Sequence, residues 1–231
     1  MENSFINASS IDPGILESLT IDEFLGFVKE SLTPVEQFFA NYNCAIMEIE
    51  TKFKVLNEQF SLQYDGNPIE SIKSRLKSYD SIIRKVYKKE IDRSLAAIEE
   101  SITDVAGVRV ICSFEEDIYK LADCLLQQDD IVLLEKRDYI KNPKPSGYRS
   151  LHLIVEVPIF LENDKKIMKV EVQLRTIAMD FWASLEHKMR YKKDIPAELQ
   201  DSISKDLMEC AQTSAYLDAR MQEIRNKIAK L

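Results

Sequence analysis

The chain has 231 residues, of which 45% are apolar and 30% charged, with a net charge of -8. Such a length can bury one full core, and five glycines among that many apolar residues exclude fibrous and disordered classes. The acidic total argues against a surface that coats nucleic acid over its whole extent.

In chain order, MENSFINASS at the start shows neither a basic leader nor an apolar core of a signal sequence. No run approaches the length of a bilayer span, so the expectation is a cytoplasmic protein away from membranes. Residues 1 to 13 read as frayed and 14 to 30 as a weak helix. TPVE at 33 to 36 offers Thr33 as N-cap, Pro34 at the first helical position and Glu36 as capping-box partner, opening a long helix to about Gln63. YDGNP at 64 to 68 is a turn, after which Pro68 can start another helix. There Ile72, Leu76, Tyr79, Ile83 and Val86 recur at amphipathic spacing. At about 100° per residue, Lys77, Ser81, Lys85 and Lys88 fall opposite that stripe, with Arg84 beside them and Arg75 on the flank. Residues 69 to 93 carry eight Lys/Arg against four acids. A row of cations can hold a polyphosphate, and a solvated face would look the same.

VAGVRVIC then reads as a buried strand led by Asp104, EEDIYKLADCLLQQ as a helix, and IVLLEKRDYI, RSLHLIVEVP and KIMKVEVQLR as three more strands. NDKK between the last two predicts an antiparallel hairpin. IAMDFWASLEHKMRY is helical, and IPAELQ opens a helix to about residue 230. Its apolar residues, from Leu199 to Ile228, can cover the sheet or meet a partner subunit. The expected fold is α+β: a small mixed or antiparallel sheet of four to five strands flanked by helices.

Alternation in KVEVQLR sends Glu171, Gln173 and Arg175 to one face and Val170, Val172 and Leu174 to the other. His152 lies on the corresponding polar face of its strand, so neighbouring strands could form one polar floor. Asp104 and Glu171 are then the carboxylates for a magnesium ion, which takes one or two of them plus phosphate oxygens. The plainer alternatives are a turn residue for Asp104 and an exposed position or a partner of Arg175 for Glu171. Residues 135 to 152 hold five Lys/Arg against two acids. There Arg137 and Lys144 supply charge, Tyr148 a flat face that could equally be a core aromatic, and Ser146 with Gly147 a tight turn. Phosphates would be held by side chains, since no phosphate-binding glycine loop is present. The four cysteines lack paired spacings, so reduced thiols are expected and neither a zinc site nor a disulfide framework is suggested. Only His152 and His187 occur and neither adjoins an aspartate, which excludes a His-Asp metal site.

Taken together, DVAGVRVIC, PKPSGYRSLHLIV, VEVQLRT and FWASLEHKMRYKK resemble the synthetase domain of the RelA/SpoT-type alarmone synthetases, and most closely the single-domain small alarmone synthetases. The resemblance covers roughly residues 65 to 193. It implies a nucleotidyltransferase-like core at 65 to 193, an N-terminal helical extension at 1 to 64 and a C-terminal oligomerisation helix at 194 to 231. The implied reaction is Mg²⁺-dependent transfer of the β,γ-pyrophosphate of ATP to the 3′-hydroxyl of GDP or GTP. Asp104 and Glu171 would hold Mg²⁺, and Glu171 would take the proton. Arg75 and Arg109 would sandwich adenine, with Lys77, Ser81, Lys85 and Lys88 along the ATP phosphates. Arg137 and Lys144 would meet the guanine-nucleotide phosphates, Tyr148 would stack on guanine, and His152 and Gln173 would orient the acceptor. A homotetramer, no hydrolase activity and doubtful activation by product are implied as well. The competing class is a non-catalytic regulator that binds nucleotides or single-stranded RNA on the same cationic face.

Overall fold

A computed structural model of the chain describes residues 21–63, 67–190 and 196–230. Among them the chain forms six helices around one five-stranded sheet. The elements are α1 (Ile21–Gln63), β1 (Ile69–Leu76), α2 (Tyr79–Lys89), α3 (Leu95–Ser101), β2 (Ala106–Cys112), α4 (Glu115–Leu126), β3 (Val132–Asp138), β4 (Leu151–Phe160), β5 (Lys165–Thr176), α5 (Ile177–Arg190) and α6 (Ala197–Ile228). The strand order is β1-β2-β5-β4-β3, with β2 and β5 parallel and every other neighbouring pair antiparallel. The expected α+β class, with a mixed sheet between helices and a β4–β5 hairpin, is what forms.

Alternation divides the sheet. Val108, Val110, Leu151, Leu153, Val155, Val170, Val172 and Leu174 are buried in the main core together with Phe38, Tyr42, Ile49 and Phe53 of α1 and Ile118, Leu121 and Leu125 of α4. Spacings of four and seven along α1 place those side chains in one stripe, which lies across β1, β2, β4 and β5. The odd-numbered partners on β2 and β5 face away from that core.

Three sequence expectations are corrected. The segment 69–76 is strand β1, paired with β2 through Lys73↔Arg109 and Arg75↔Gly107, and the helix after it begins only at Tyr79. Arg75 therefore sits on a strand and Lys77 in the connection, where its N–H donates to the Val105 carbonyl. A spacing of four is even, so Ile72 and Leu76 share a face in a strand as well as in a helix. Within α2 the buried residues are Ile82 and Val86, while Tyr79 is half exposed. Secondly, TPVE opens no helix: α1 runs through it with Pro34 inside. Its buried stripe from Phe38 onward outweighs the one backbone bond that a proline removes. The part of the expected first helix at 14–20 lies outside the described residues. Thirdly, α3 was not expected. Ser94 caps it by accepting from the Ala97 N–H at 3.2 Å.

The chain's end is fastened to the sheet. Thr176 accepts from the Met179 N–H at the start of α5 and donates to buried Asp218 of α6 at 2.6 Å. Trp182 of α5 donates to the Leu207 carbonyl of α6 at 3.0 Å. Farther along α6, Arg225 pairs with buried Asp117 of α4 at 2.8 Å.

Candidate active site

The polar side of the sheet carries the candidate residues in two cross-strand rows. One runs Lys73, Arg109, Gln173, His152 and Arg137, and the other Arg75, Gly107, Glu171 and Ile154. Residues from all five strands meet because register, not sequence distance, sets these neighbours.

At one end Asp104, two residues before β2, accepts from Lys77 at 2.5 Å and from Lys85 of α2 at 2.7 Å. Burial alone would raise its carboxyl, but the hydrogen bonds and charges of the two lysines outweigh that and hold it below the ordinary value. Ser81, one turn before Lys85, bonds Ser78 at 2.9 Å and Arg84 at 3.3 Å. Lys88 is exposed on the last turn of α2. So Lys77 and Lys85 converge on Asp104, while Ser81 bonds within its own segment and Lys88 is exposed.

Glu171 is held differently. Its Oε1 lies 3.2 Å from His152 Nδ1, and its Oε2 accepts from the Gln173 amide at 2.8 Å. Burial pushes its carboxyl up, and the His152 contact and the Gln173 hydrogen bond bring it below the ordinary value against a small opposing push from Asp104. Asp104 lies three residues before Gly107, which is in register with Glu171, so the two carboxylates approach the same end of the floor. The partner of Glu171 is therefore not Arg175.

Arg175 is buried and donates to Tyr148 Oη, Gln173 Oε1, Ser150 Oγ and Asp180 Oδ1. Buried Asp180 also accepts from Lys73 at 3.1 Å and from Arg109 at 3.3 Å, so one carboxylate gathers three cations. Burial lowers the Arg109 guanidinium pKa, and nearby Arg175 adds to the effect. Arg109 Nε is itself buried without a hydrogen-bond partner. Arg75, Arg109 and Gln173 line a shallow pocket of about 90 Å³ with Lys73, Ser74, Gly107 and Val108. Gly107 keeps this floor low, because a Cβ there would rest 3.6 Å from Arg75 Cγ.

At the other end Tyr148 Oη lies 2.7 Å from His152 Nε2, and its half-buried ring has the Lys144 ammonium 4.9 Å and the Arg175 guanidinium 5.0 Å from its centroid. Lys144 also stands 4.5 Å from the Tyr139 ring. Arg137 is in register with His152 but forks onto Glu135 at 2.5 and 2.6 Å. Gly147 makes the loop possible. Its φ is +86°, and an added Cβ would meet Ala211 Cβ of α6 at 2.5 Å. Sequence reasoning named Arg175 only as a polar-face residue and possible partner of Glu171, and Asp180 only as a departure from the product-activated branch of the resembling family, with no place for either in the site. For Arg175 the available signal was its shared alternation with Glu171 and Gln173.

Among the described residues no three His, Cys, Asp or Glu side chains converge on a metal position. Two neighbouring carboxylates held ionised do suit a hard cation that takes its other ligands from phosphate and water.

Residues 74–196 match the family model described as "Region found in RelA / SpoT proteins". The GTP pyrophosphokinase YwaC of Bacillus subtilis (strain 168) is 45% identical over 189 residues, which are 81% of this chain and 88% of that protein. YjbM of the same organism, also a GTP pyrophosphokinase, is 35% identical over 193 residues, 84% of this chain and 89% of its own. Among solved structures, small alarmone synthetase 1 from Bacillus subtilis bound to its product pppGpp superposes with a TM-score of 0.76 at 35% identity, covering 85% of this chain and 99% of that one. Small alarmone synthetase 2 from the same organism gives 0.73 at 43% identity, covering 83% and 98%. With the sheet, the polar face and these relatives in agreement, the chain belongs to the RelA/SpoT family and, within it, to the small alarmone synthetases.

Proposed function

We propose that the chain is a (p)ppGpp synthetase, a GTP pyrophosphokinase that moves the β,γ-pyrophosphate of ATP onto the 3′-hydroxyl of GDP or GTP. The observation that carries this reading is the pair of neighbouring carboxylates, Asp104 and Glu171, both kept ionised on a polar floor rimmed by lysines and arginines.

Glu171 takes the proton of the acceptor's 3′-hydroxyl, whose oxygen forms a bond to the β-phosphorus of ATP. The bond from that phosphorus to the α,β-bridging oxygen breaks, and AMP leaves. Asp104 and Glu171 would hold Mg²⁺, which supplies neutralisation of the phosphate charge. Lys77 and Lys85, which neutralise Asp104 in this structure, turn to the ATP phosphates, and Ser81 and Lys88 lie along the same helix. Arg75 and Arg109, on neighbouring strands at one shallow pocket, take the adenine.

Tyr148 takes guanine, and its Lys144 neighbour turns from the rings to phosphate. Arg137 exchanges Glu135 for the same phosphates, while His152 and Gln173 orient the acceptor ribose. Arginine and lysine suit these places because both donate without accepting.

The chain synthesises without hydrolysing, as neither of its two histidines adjoins an aspartate in the sequence. Among the described residues no helix is long and apolar enough to cross a membrane, and we place the protein in the cytoplasm. The division into an N-terminal extension, a core at 65–193 and an oligomerisation helix at 194–231 belongs to the same reading. So does a homotetramer, which the exposed Phe181 of α5 and Leu217, Met221 and Ile228 of α6 support.

Incubation with ATP, Mg²⁺ and either GDP or GTP should yield AMP and a 3′-pyrophosphorylated guanosine nucleotide in equal amounts, resolved by ion-exchange chromatography. Nucleotide binding without AMP would leave only the binding regulator.

A further inference from the structure

Four side chains of the polar face form one hydrogen-bonded line: Arg175, Tyr148, His152 and Glu171. Arg175 lies 2.5 Å from Tyr148 Oη, which lies 2.7 Å from His152 Nε2, and His152 Nδ1 lies 3.2 Å from Glu171 Oε1. Chemistry gives the line a direction. A guanidinium only donates, so the phenol oxygen accepts from Arg175. The phenol's single O–H is then available to His152 Nε2, which accepts it when the ring is neutral and carries its hydrogen on Nδ1. An ionised carboxylate only accepts, so the hydrogen at the other end of the ring is on Nδ1 and points at Glu171. The two ends fit one and the same neutral tautomer.

The start of the line is anchored. Arg175 is buried, and three more of its donors are taken by Asp180, Ser150 and Gln173. It cannot turn away from Tyr148 without leaving buried groups unpaired. The phenol is confined as well, since its ring meets Tyr139 and His152 edge-on at centroid distances of 6.1 and 5.8 Å.

We propose that Arg175 and Tyr148 are positioning residues for the acceptor-side base: acting through His152, they fix the imidazole as the Nδ1–H tautomer and hold Glu171 Oε1 in place. Tyr148 thus has a role for its hydroxyl that is separate from any role of its ring in stacking on a base. The inference rests on the assignment of Glu171 as the base.

Tyr148→Phe separates the two roles, because it keeps the ring and removes only the hydroxyl. The expected result is a KM for the guanine nucleotide within about twofold of wild type and a kcat lower by about 10- to 100-fold, the scale of a misplaced reacting group. An unchanged kcat would overturn the inference, as would a loss confined to KM. A second readout needs no turnover. In protein without added nucleotide or metal, imidazole ¹⁵N shifts should show His152 protonated at Nδ1 in wild type and a mixture of tautomers in Tyr148→Phe. The chain has two histidines, so comparison with His187→Gln assigns the signals. A wild-type His152 carrying its hydrogen on Nε2 would refute the line itself. If the wild-type protein makes no AMP, the synthetase reading fails while the tautomer measurement still decides the hydrogen-bond line.

Discussion

Two regions of the molecule bury carboxylates, and they treat the charge in opposite ways. On the open sheet face, Asp104 and Glu171 are drawn below ordinary carboxylate values because burial is outweighed by Lys77 and Lys85 at one and by His152 and Gln173 at the other. At the seam between α5 and α6, burial pushes Asp218 up, and the Thr176 hydrogen bond with more distant Arg149 does not offset it. The face keeps its acids charged and ready to meet cations and protons. The seam uses its acid as a hydrogen-bond acceptor that ties a helix down.

The largest test of this contrast lies on the face. Glu171→Gln should lower kcat by about 10² to 10⁴, the range for losing a general base, and should leave ATP affinity near wild type while lowering the thermal midpoint less than Asp104→Asn, because the amide keeps the shape of the group and can still accept from one of His152 and Gln173. Asp104→Asn should also remove activity, but at a larger cost in stability. Two ammonium groups then face a neutral amide, and the loss lies between the ~1 kcal/mol of an exposed pair and the ~3 kcal/mol or more of a fully buried one. Both acids have folded pKa values below their unfolded ones. Their stabilisation is therefore present above the ordinary carboxylate range, about pH 4, and is lost as pH falls through the depressed values. Equal thermal midpoints for the two variants at pH 7 would show that the lysines do not hold Asp104 as described.

Gly147 joins the two regions, since its loop carries Lys144 and Tyr148 on the site side and touches α6 on the other. Gly147→Ala puts a Cβ into the left-handed region, at about 1–2 kcal/mol, and against Ala211, at about 1–3 kcal/mol more if the helix must yield. A lower melting temperature by circular dichroism together with a raised KM for the guanine nucleotide is expected. A change in KM for ATP alone would detach this loop from the guanine side.

Much of the face was legible in the residues. KVEVQLR and RSLHLIVEV alternate so regularly that their polar and apolar sides follow from period two, and the carboxylate of Glu171 could be placed on the polar side without coordinates. Strand β1 was not legible, because Ile72 and Leu76 satisfy both periods; the alternation of Lys73, Arg75 and Lys77 was the better guide. The partners within the site were also out of reach. That Glu171 meets His152, and Arg175 meets Tyr148, depends on the β4–β5 register and on a loop whose path Gly147 sets. Asp180 is a further case: its three cations come from β1, β2 and β5, which only tertiary structure brings together.

The smallest expected effect is at the seam. Asp218 has a folded pKa above its unfolded value, so its protonated form is favoured in the fold. Its contribution is full below the ordinary carboxylate range and declines as pH rises through the raised value, the reverse of Asp104 and Glu171. Asp218→Asn keeps an oxygen to accept from Thr176 and removes the charge. At pH 7 it should therefore leave stability unchanged or raise it by no more than about 1 kcal/mol, and the gain should shrink toward pH 4 in denaturant titrations. A destabilisation that grows with pH would mean that the attraction to Arg149 outweighs burial. The seam would then hold its acid charged, as the sheet face does.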